Sequence, residues 1–301
     1  MPFLTRQRAL LLALLCFGSS AQAGPLLDKL REKAEARRAA ESPSPSATRV
    51  LRNVAYGQHR QETMDLYLPS RRTQGVPVIF MVHGGAWKIG DKAHTAVVQN
   101  KTAHWLPLGL ALISVNYPML PDAPPQAQAA ALTKALAFAQ AHAGEWGLDP
   151  TRFVLMGHSA GAHLIALINA SPATAKAHGA RPWLGAVSLD SAAMDVPAIM
   201  GQPHYGFYDE AFGTNPGDWP VVSPRHQLTR EAPPFLMVCA TRRQDACPQA
   251  DAMATTAQSL QVETTILRQD LSHQDINEKL GLSNAYTAQV DAFLKRLGVL
   301  D

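Results

Sequence analysis

Five short apolar runs are the feature that most constrains how this chain can fold. They occupy residues 76–82, 111–115, 153–156, 186–189 and 235–240. Short, continuous runs rich in β-branched residues are typical of strands covered on both faces by other elements. Residues 64–68 instead alternate between apolar and polar side chains and end before Pro69, which is typical of an antiparallel strand.

Helical patterns separate these runs along the chain. They lie at residues 126–142, 160–170, 248–260 and 284–297, and a further strand is expected at 264–267. Regular alternation of strands and helices predicts a doubly wound α/β fold. We therefore expect a mostly parallel sheet of about eight strands with helices on both faces, in one domain.

The first residues have the features of a secretory signal peptide. Arg6 and Arg8 precede the apolar run 9–17, and small residues at Ala21 and Ala23 predict cleavage after Ala23. The run is too short to span a bilayer, so no stable membrane insertion is expected. An exported protein, periplasmic or secreted, is predicted. The predicted parts are a signal peptide (1–23), a charged helix with a Pro/Ser linker (24–46) and a catalytic domain (47–301).

Composition excludes several classes of protein. The chain has 301 residues, 47% of them hydrophobic, which is not the composition of a disordered protein. Its formal net charge of +3 is too small for the electrostatic footprint of nucleic-acid binding. Three cysteines are too few for a disulfide scaffold or a cysteine-rich zinc domain. A small molecule is therefore the expected partner, and the oligomeric state stays open.

The strongest local motif is Gly157-His158-Ser159-Ala160-Gly161, between the predicted strand 153–156 and the predicted helix 160–170. A G-x-S-x-G sequence in this context forms a sharp turn that exposes the serine hydroxyl at the end of a sheet. We expect a Cβ at either glycine to clash within the turn. The Ala160 N–H would lie at a helix N-terminus, where a developing anion is stabilised.

A second motif, His83-Gly84-Gly85-Ala86-Trp87, follows the run 76–82. Glycines at the end of such a strand let the backbone approach a substrate carbonyl and turn its N–H groups toward it. Gly84, Gly85 and Ala160 are therefore the candidate oxyanion-hole donors.

These motifs make the sequence resemble the α/β-hydrolase superfamily. Within it the chain is similar to small esterases with an HGG motif: hormone-sensitive-lipase-like carboxylesterases, kynurenine-formamidase-like proteins and bifunctional carbohydrate esterases. The resemblance covers about residues 50–299. Among its clearest segments are VHGGAWKIGDK (82–92), SVNYPMLP (114–121), WGLDPTRFVLMGHSAGAHLIAL (146–167) and SHQDINEKLG (272–281).

The resemblance implies a catalytic triad in the chain order serine, acid, histidine. Ser159 matches the nucleophile, and His273 matches the base because it follows the last predicted strand. His163 is expected to be a core or rim histidine instead. Asp245, the only carboxylate in the loop after 235–240, is the favoured acid, and Asp190, directly after 186–189, is the alternative.

The implied activity is hydrolysis of carboxylic esters with small or medium acyl groups, through an acyl-enzyme and without cofactor or metal. Alternatives are an acetylxylan or feruloyl esterase, an arylformamidase, or a non-catalytic binding protein on a hydrolase scaffold. Trp87 and His158 are candidate substrate-binding residues, although Trp87 could equally pack the excursion 192–229 onto the sheet. Cys239 and Cys247 flank the acid loop and form either a disulfide or two free thiols.

Overall fold

The computed structural model describes residues 49–70 and 74–300. The predicted signal peptide and the predicted charged helix and linker lie outside the described residues.

Within the described residues, eight strands form one sheet. They are β1 (Arg49–Ala55), β2 (Thr63–Leu68), β3 (Val76–Val82), β4 (Ala111–Val115), β5 (Leu148–His158), β6 (Gly185–Leu189), β7 (Phe235–Ala240) and β8 (Thr264–Gln269). Their order across the sheet is β1-β2-β4-β3-β5-β6-β7-β8. Strand β2 is antiparallel to both of its neighbours, and all other pairs are parallel. This sheet confirms the predicted fold class.

Ten α-helices occur in the part of the chain that the structure describes. They are α1 (Thr95–Trp105), α2 (Pro125–His142), α3 (Ala160–Ala170), α4 (Pro172–Ala177), α5 (Val196–Met200), α6 (Gly206–Phe212), α7 (Pro224–Gln227), α8 (Ala246–Ser259), α9 (His273–Glu278) and α10 (Ala285–Arg296). Short 3-10 helices lie at Ala143–Trp146 and Trp219–Val222. The four predicted helices correspond to α2, α3, α8 and α10.

Two hydrophobic clusters cover the two faces of the sheet, and β3 shows why. Val78 and Phe80 belong to the cluster that contains α2 and α3 residues, whereas Ile79 and Met81 belong to the cluster that contains α1 and α10 residues. Because successive side chains of a strand point to opposite faces, a strand buried on both sides must be apolar throughout. The continuous apolar run 76–82 is therefore the local consequence of a doubly covered sheet.

The parallel arrangement determines where the polar loop residues meet. Strands β3, β5, β6, β7 and β8 run in the same direction, so their carboxyl ends lie along one edge of the sheet. Ligand sites of open α/β sheets lie outside these carboxyl ends. The candidate site residues of the sequence lie at these strand ends or in the loops and helix starts that follow them.

A disulfide joins β7 to the first turn of α8. Cys239 and Cys247 are bonded to each other, which decides the alternative that the sequence leaves open. The bond closes a short loop that contains Arg243 and Asp245. The disulfide fixes both ends of this loop, which lies beside the candidate site.

Candidate active site

Ser159 occupies the strained turn that the motif predicts. It lies between β5 and α3 with φ 56° and ψ −121°, a backbone conformation that non-glycine residues rarely adopt. Its N–H donates to the Leu189 carbonyl at 3.0 Å, and its carbonyl accepts from the His163 N–H at 3.1 Å. Such strain persists only where surrounding contacts hold it, and it concentrates at functional sites.

The two glycines of the motif are required by close backbone packing. A Cβ on Gly157 would clash with the carbonyl of Gly161, four residues ahead in the first turn of α3. A Cβ on Gly161 would clash with the carbonyl oxygens of Val82 and His83 at the end of β3. The expected clash at both positions is therefore present.

The loop after β3 passes directly beside the serine. A Cβ placed on Gly84 would lie 2.9 Å from the Ser159 Cβ and 2.8 Å from the His158 carbonyl oxygen. Gly85 has φ +120°, and a Cβ there would overlap the Ile89 backbone. Glycine at these positions lets the loop backbone reach the nucleophile turn. Ala160, the first residue of α3, belongs to the helix end whose N–H groups have no intrahelical acceptor.

His273 begins α9 and is hydrogen-bonded to a buried carboxylate. Its Nδ1 lies 2.6 Å from Oδ2 of Asp190, which follows β6 directly. The Asp190 side chain is fully buried, whereas the His273 side chain is 37% exposed. The Asp190 Oδ1 accepts a second hydrogen bond from the Ala240 N–H at 2.6 Å. The His273 ring is thus hydrogen-bonded to Asp190 at Nδ1, while part of the side chain is exposed.

The pKa of Asp190 lies below its ordinary value despite burial. Desolvation alone would raise this pKa, but the hydrogen bonds from His273 and Ala240 and the charge of Arg243 lower it. Asp190 is therefore ionised at neutral pH and can stabilise a positive charge on the adjacent imidazole.

The structure corrects the favoured partner of His273, which is Asp190 and not Asp245. Asp245 instead forms two hydrogen bonds with the Arg243 guanidinium, at 2.9 and 2.8 Å. Its side chain is 43% exposed and lies where α8 begins. The physical reason is geometric: the loop after β7 turns Arg243 inward, and its Nη1 lies 3.1 Å from Asp190 Oδ2 and 2.7 Å from His273 Nδ1.

Arg243 is the neighbour of the site that sequence reasoning missed. Its guanidinium bridges the exposed carboxylate of Asp245 and the buried carboxylate of Asp190. The available signal was a basic side chain in the short loop between Cys239 and Cys247, at the carboxyl end of β7. Which of the two arginines of that loop turns inward could not be predicted from this signal.

Trp87 and His158 are both buried. The Trp87 Nε1–H donates to His163 Nδ1 at 3.1 Å, and the Trp87 ring lies 4.9 Å from that of Phe212 in α6. These contacts pack the excursion against the loop after β3. His163 also contacts the Val222 carbonyl at 2.7 Å, so it is a satisfied core histidine, as expected. His158 Nε2 lies 2.9 Å from the carbonyl oxygen of His273.

Residues 49–70 and 74–300 contain no cluster of three or more His, Cys, Asp or Glu side chains that could hold a metal ion. The same ranges contain no helix with the length and apolar character needed to cross a membrane.

Known proteins of several kinds are similar to parts of this chain. The BD-FAE family model matches residues 64–200, which is less than half of the chain. Esterase LipQ of Mycobacterium tuberculosis is 27% identical over 224 residues, covering 69% of this chain and 50% of LipQ. Isoprenylcysteine alpha-carbonyl methylesterase ICME of Arabidopsis thaliana is 32% identical over 130 residues, covering 43% of this chain and 30% of that protein. The chain spans half or less of the length of these curated relatives.

A solved structure extends the similarity to the whole fold. A truncated form of a carbohydrate esterase from gut microbiota superposes with a TM-score of 0.74 at 17% identity, covering 85% of this chain and 99% of that one. Together with the strand order and the serine turn, this likeness shows that the chain has the fold of the α/β-hydrolases. The chain resembles the esterases with an HGG motif, as predicted.

The packing of Gly161 gives a prediction for stability. We expect Gly161→Ala to lower the free energy of unfolding by about 1–3 kcal/mol, because the added methyl group overpacks the contact between α3 and the end of β3. The measurement is denaturant unfolding followed by circular dichroism. The matched control is Gly144→Ala, since a Cβ there meets no heavy atom within 4 Å. Equal stability of the two variants would contradict the prediction.

Proposed function

We propose that this protein is an esterase that uses Ser159 as nucleophile, His273 as base and Asp190 as the orienting acid. One observation carries the proposal: a serine in a strained turn and a histidine hydrogen-bonded to a buried carboxylate both lie at the carboxyl edge of one sheet. A triad is recognised by such geometry and roles rather than by position in the sequence.

In the proposed reaction, His273 Nε2 removes the Ser159 hydroxyl proton as the hydroxyl oxygen attacks an ester carbonyl. The Nδ1–H of the ring donates to Asp190, which orients the ring and stabilises the imidazolium. His273 then protonates the leaving alcohol, and an acyl-enzyme remains on Ser159. Water, deprotonated by His273, attacks this ester, and the acid product leaves as Ser159 recovers its proton.

We assign the oxyanion hole to the N–H groups of Gly84, Gly85 and Ala160. Gly84 lies beside the serine, and Ala160 begins α3, whose N-terminal dipole favours negative charge. Loss of one such donor lowers kcat by about 10²–10³ in serine hydrolases.

The relatives support ester hydrolysis as the chemistry. The matched proteins are named as an esterase, a methylesterase and a carbohydrate esterase, so cleavage of an ester bond is common to them. We propose small or medium acyl esters as substrates. An acetylxylan or feruloyl ester and an arylformamide are the alternatives that the same triad could cleave.

The proposed nucleophile is tested by Ser159→Ala. We expect wild type to hydrolyse p-nitrophenyl acetate and butyrate faster than the octanoate, and the variant to lose kcat on the order of 10⁶-fold because no oxygen nucleophile remains. Feruloyl esters and N-formylkynurenine, assayed by product release, test the alternatives. Circular dichroism of the variant serves as the control for folding. Turnover retained by the folded variant would show that Ser159 is not the nucleophile.

The proposed acid is tested by comparing two isosteric substitutions. We expect Asp190→Asn to lower kcat by about 10⁴-fold, because an amide cannot hold the imidazole in the productive tautomer. Asp245→Asn should change kcat by less than tenfold, since a partly exposed ion pair contributes only about 0–1 kcal/mol. The assay is p-nitrophenyl acetate hydrolysis at neutral pH. If Asp245→Asn lowered kcat more than Asp190→Asn did, Asp245 would be the acid.

We also propose that the protein is exported. The predicted signal peptide motivates this, and the Cys239–Cys247 disulfide supports it because structural disulfides persist in oxidising compartments.

Export predicts a mature protein that begins at Gly24 and carries the disulfide. Intact mass and peptide mapping after expression in a Gram-negative host should show cleavage after Ala23. Cys239 and Cys247 should be alkylated only after reduction. An uncleaved protein with two free thiols, recovered from the cytoplasm, would contradict the proposal.

A further inference from the structure

His158 connects the serine turn to the segment that carries the base. It is the last residue of β5 and immediately precedes Ser159, and its Nε2 lies 2.9 Å from the backbone carbonyl oxygen of His273. A carbonyl oxygen only accepts hydrogen bonds, so Nε2 must carry a hydrogen and donate it. The two imidazole rings lie 4.5 Å apart between centroids. His158, which belongs to the serine turn, is therefore hydrogen-bonded directly to the backbone of the proposed base.

The helix that begins with His273 needs such an anchor. Helix α9 has only six residues, too few to be stable without tertiary contacts. At its far end, the buried Lys101 ammonium donates to the Asn277 carbonyl at 2.7 Å and to the Asn277 side-chain oxygen at 2.9 Å. At its near end, the hydrogen bond from His158 holds His273 itself.

His158 is suited to this position because it donates without carrying a charge. Burial, together with the nearby His273, lowers the pKa of His158 to about 3. The Arg243 guanidinium already lies 2.7 Å from His273 Nδ1, so a second charged donor would add to the repulsion of an imidazolium on His273. A neutral imidazole at position 158 provides the hydrogen bond without adding to it.

The loop after β3, which carries Gly84, also contacts His158. A Cβ on Gly84 would lie 3.2 Å from His158 Nδ1 and 2.8 Å from the His158 carbonyl oxygen. His158 thus contacts the loop of the proposed oxyanion hole and the helix of the proposed base. It also continues by a covalent bond into the proposed nucleophile.

We propose that His158 is a positioning residue that sets the place of His273 relative to Ser159, through its hydrogen bond to the His273 carbonyl. This inference rests on the proposed function of the two residues. It replaces the expectation that His158 binds substrate, because its polar edge is directed at the protein backbone.

The test compares His158→Leu, which removes the donor, with His158→Gln, whose amide can still donate. We expect His158→Leu to lower kcat for p-nitrophenyl acetate by about 10–100-fold with KM within twofold, as for a small displacement of reacting groups. His158→Gln should recover at least a third of the wild-type kcat. Hydrogen exchange of the amides at 274–277 should be faster in His158→Leu than in wild type. The same substitution at the buried His163, whose partners are Trp87 and Val222, is the matched control and should leave this exchange unchanged.

The outcomes separate this inference from the proposed function. If wild type hydrolyses the ester and Ser159→Ala does not, the function holds, and a full kcat in His158→Leu overturns the positioning role. If His158→Leu raised KM without lowering kcat, His158 would be a substrate-binding residue and the proposal would be wrong. Equal losses of kcat in His158→Leu and His158→Gln would also overturn the proposal. If wild type and Ser159→Ala are equally inactive, the proposed function fails. Unchanged exchange at 274–277 in His158→Leu would then overturn the anchoring contact by itself.

Discussion

The close packing of helix α3 against the end of strand β3 is the constraint on which the rest of the site depends. Gly161 presses against the carbonyl oxygens of Val82 and His83, and no larger residue fits there. This contact brings the HGG loop beside Ser159 and keeps the serine in a conformation that an isolated peptide would leave. Backbone strain at Ser159 is thereby balanced by packing spread over a whole helix and two strands.

Electrostatics at the same edge follow from how deeply each carboxylate is buried. Asp190 is fully buried and needs its hydrogen bonds from His273 and Ala240 to offset the cost of desolvation. Asp245 is partly exposed and serves to neutralise Arg243. The guanidinium lies between the two carboxylates, so Asp245 offsets part of the positive charge that Arg243 brings to the His273–Asp190 pair.

Much of the fold could be predicted because most of the strands carry their own signal. The apolar runs 76–82 and 111–115 coincide with β3 and β4, and the pattern at 160–170 coincides with α3. Strand β1 was missed because it lies at the edge of the sheet, where none of its residues is buried and no apolar run is needed. Helix α1 was missed because one of its buried residues is Lys101, whose charge interrupts the apolar pattern.

The sequence by itself determined the serine turn and the HGG loop, because local backbone sterics demand glycine there, and the family resemblance indicated the histidine after the last strand. Only the tertiary structure decided which carboxylate faces His273. Asp190 and Asp245 both follow parallel strands and reach the same edge, so the choice depends on how the loop after β7 folds. Arg243 turns inward there and Asp245 pairs with it, and the resulting contacts join residues more than fifty positions apart in the chain. No local pattern encodes contacts over that distance.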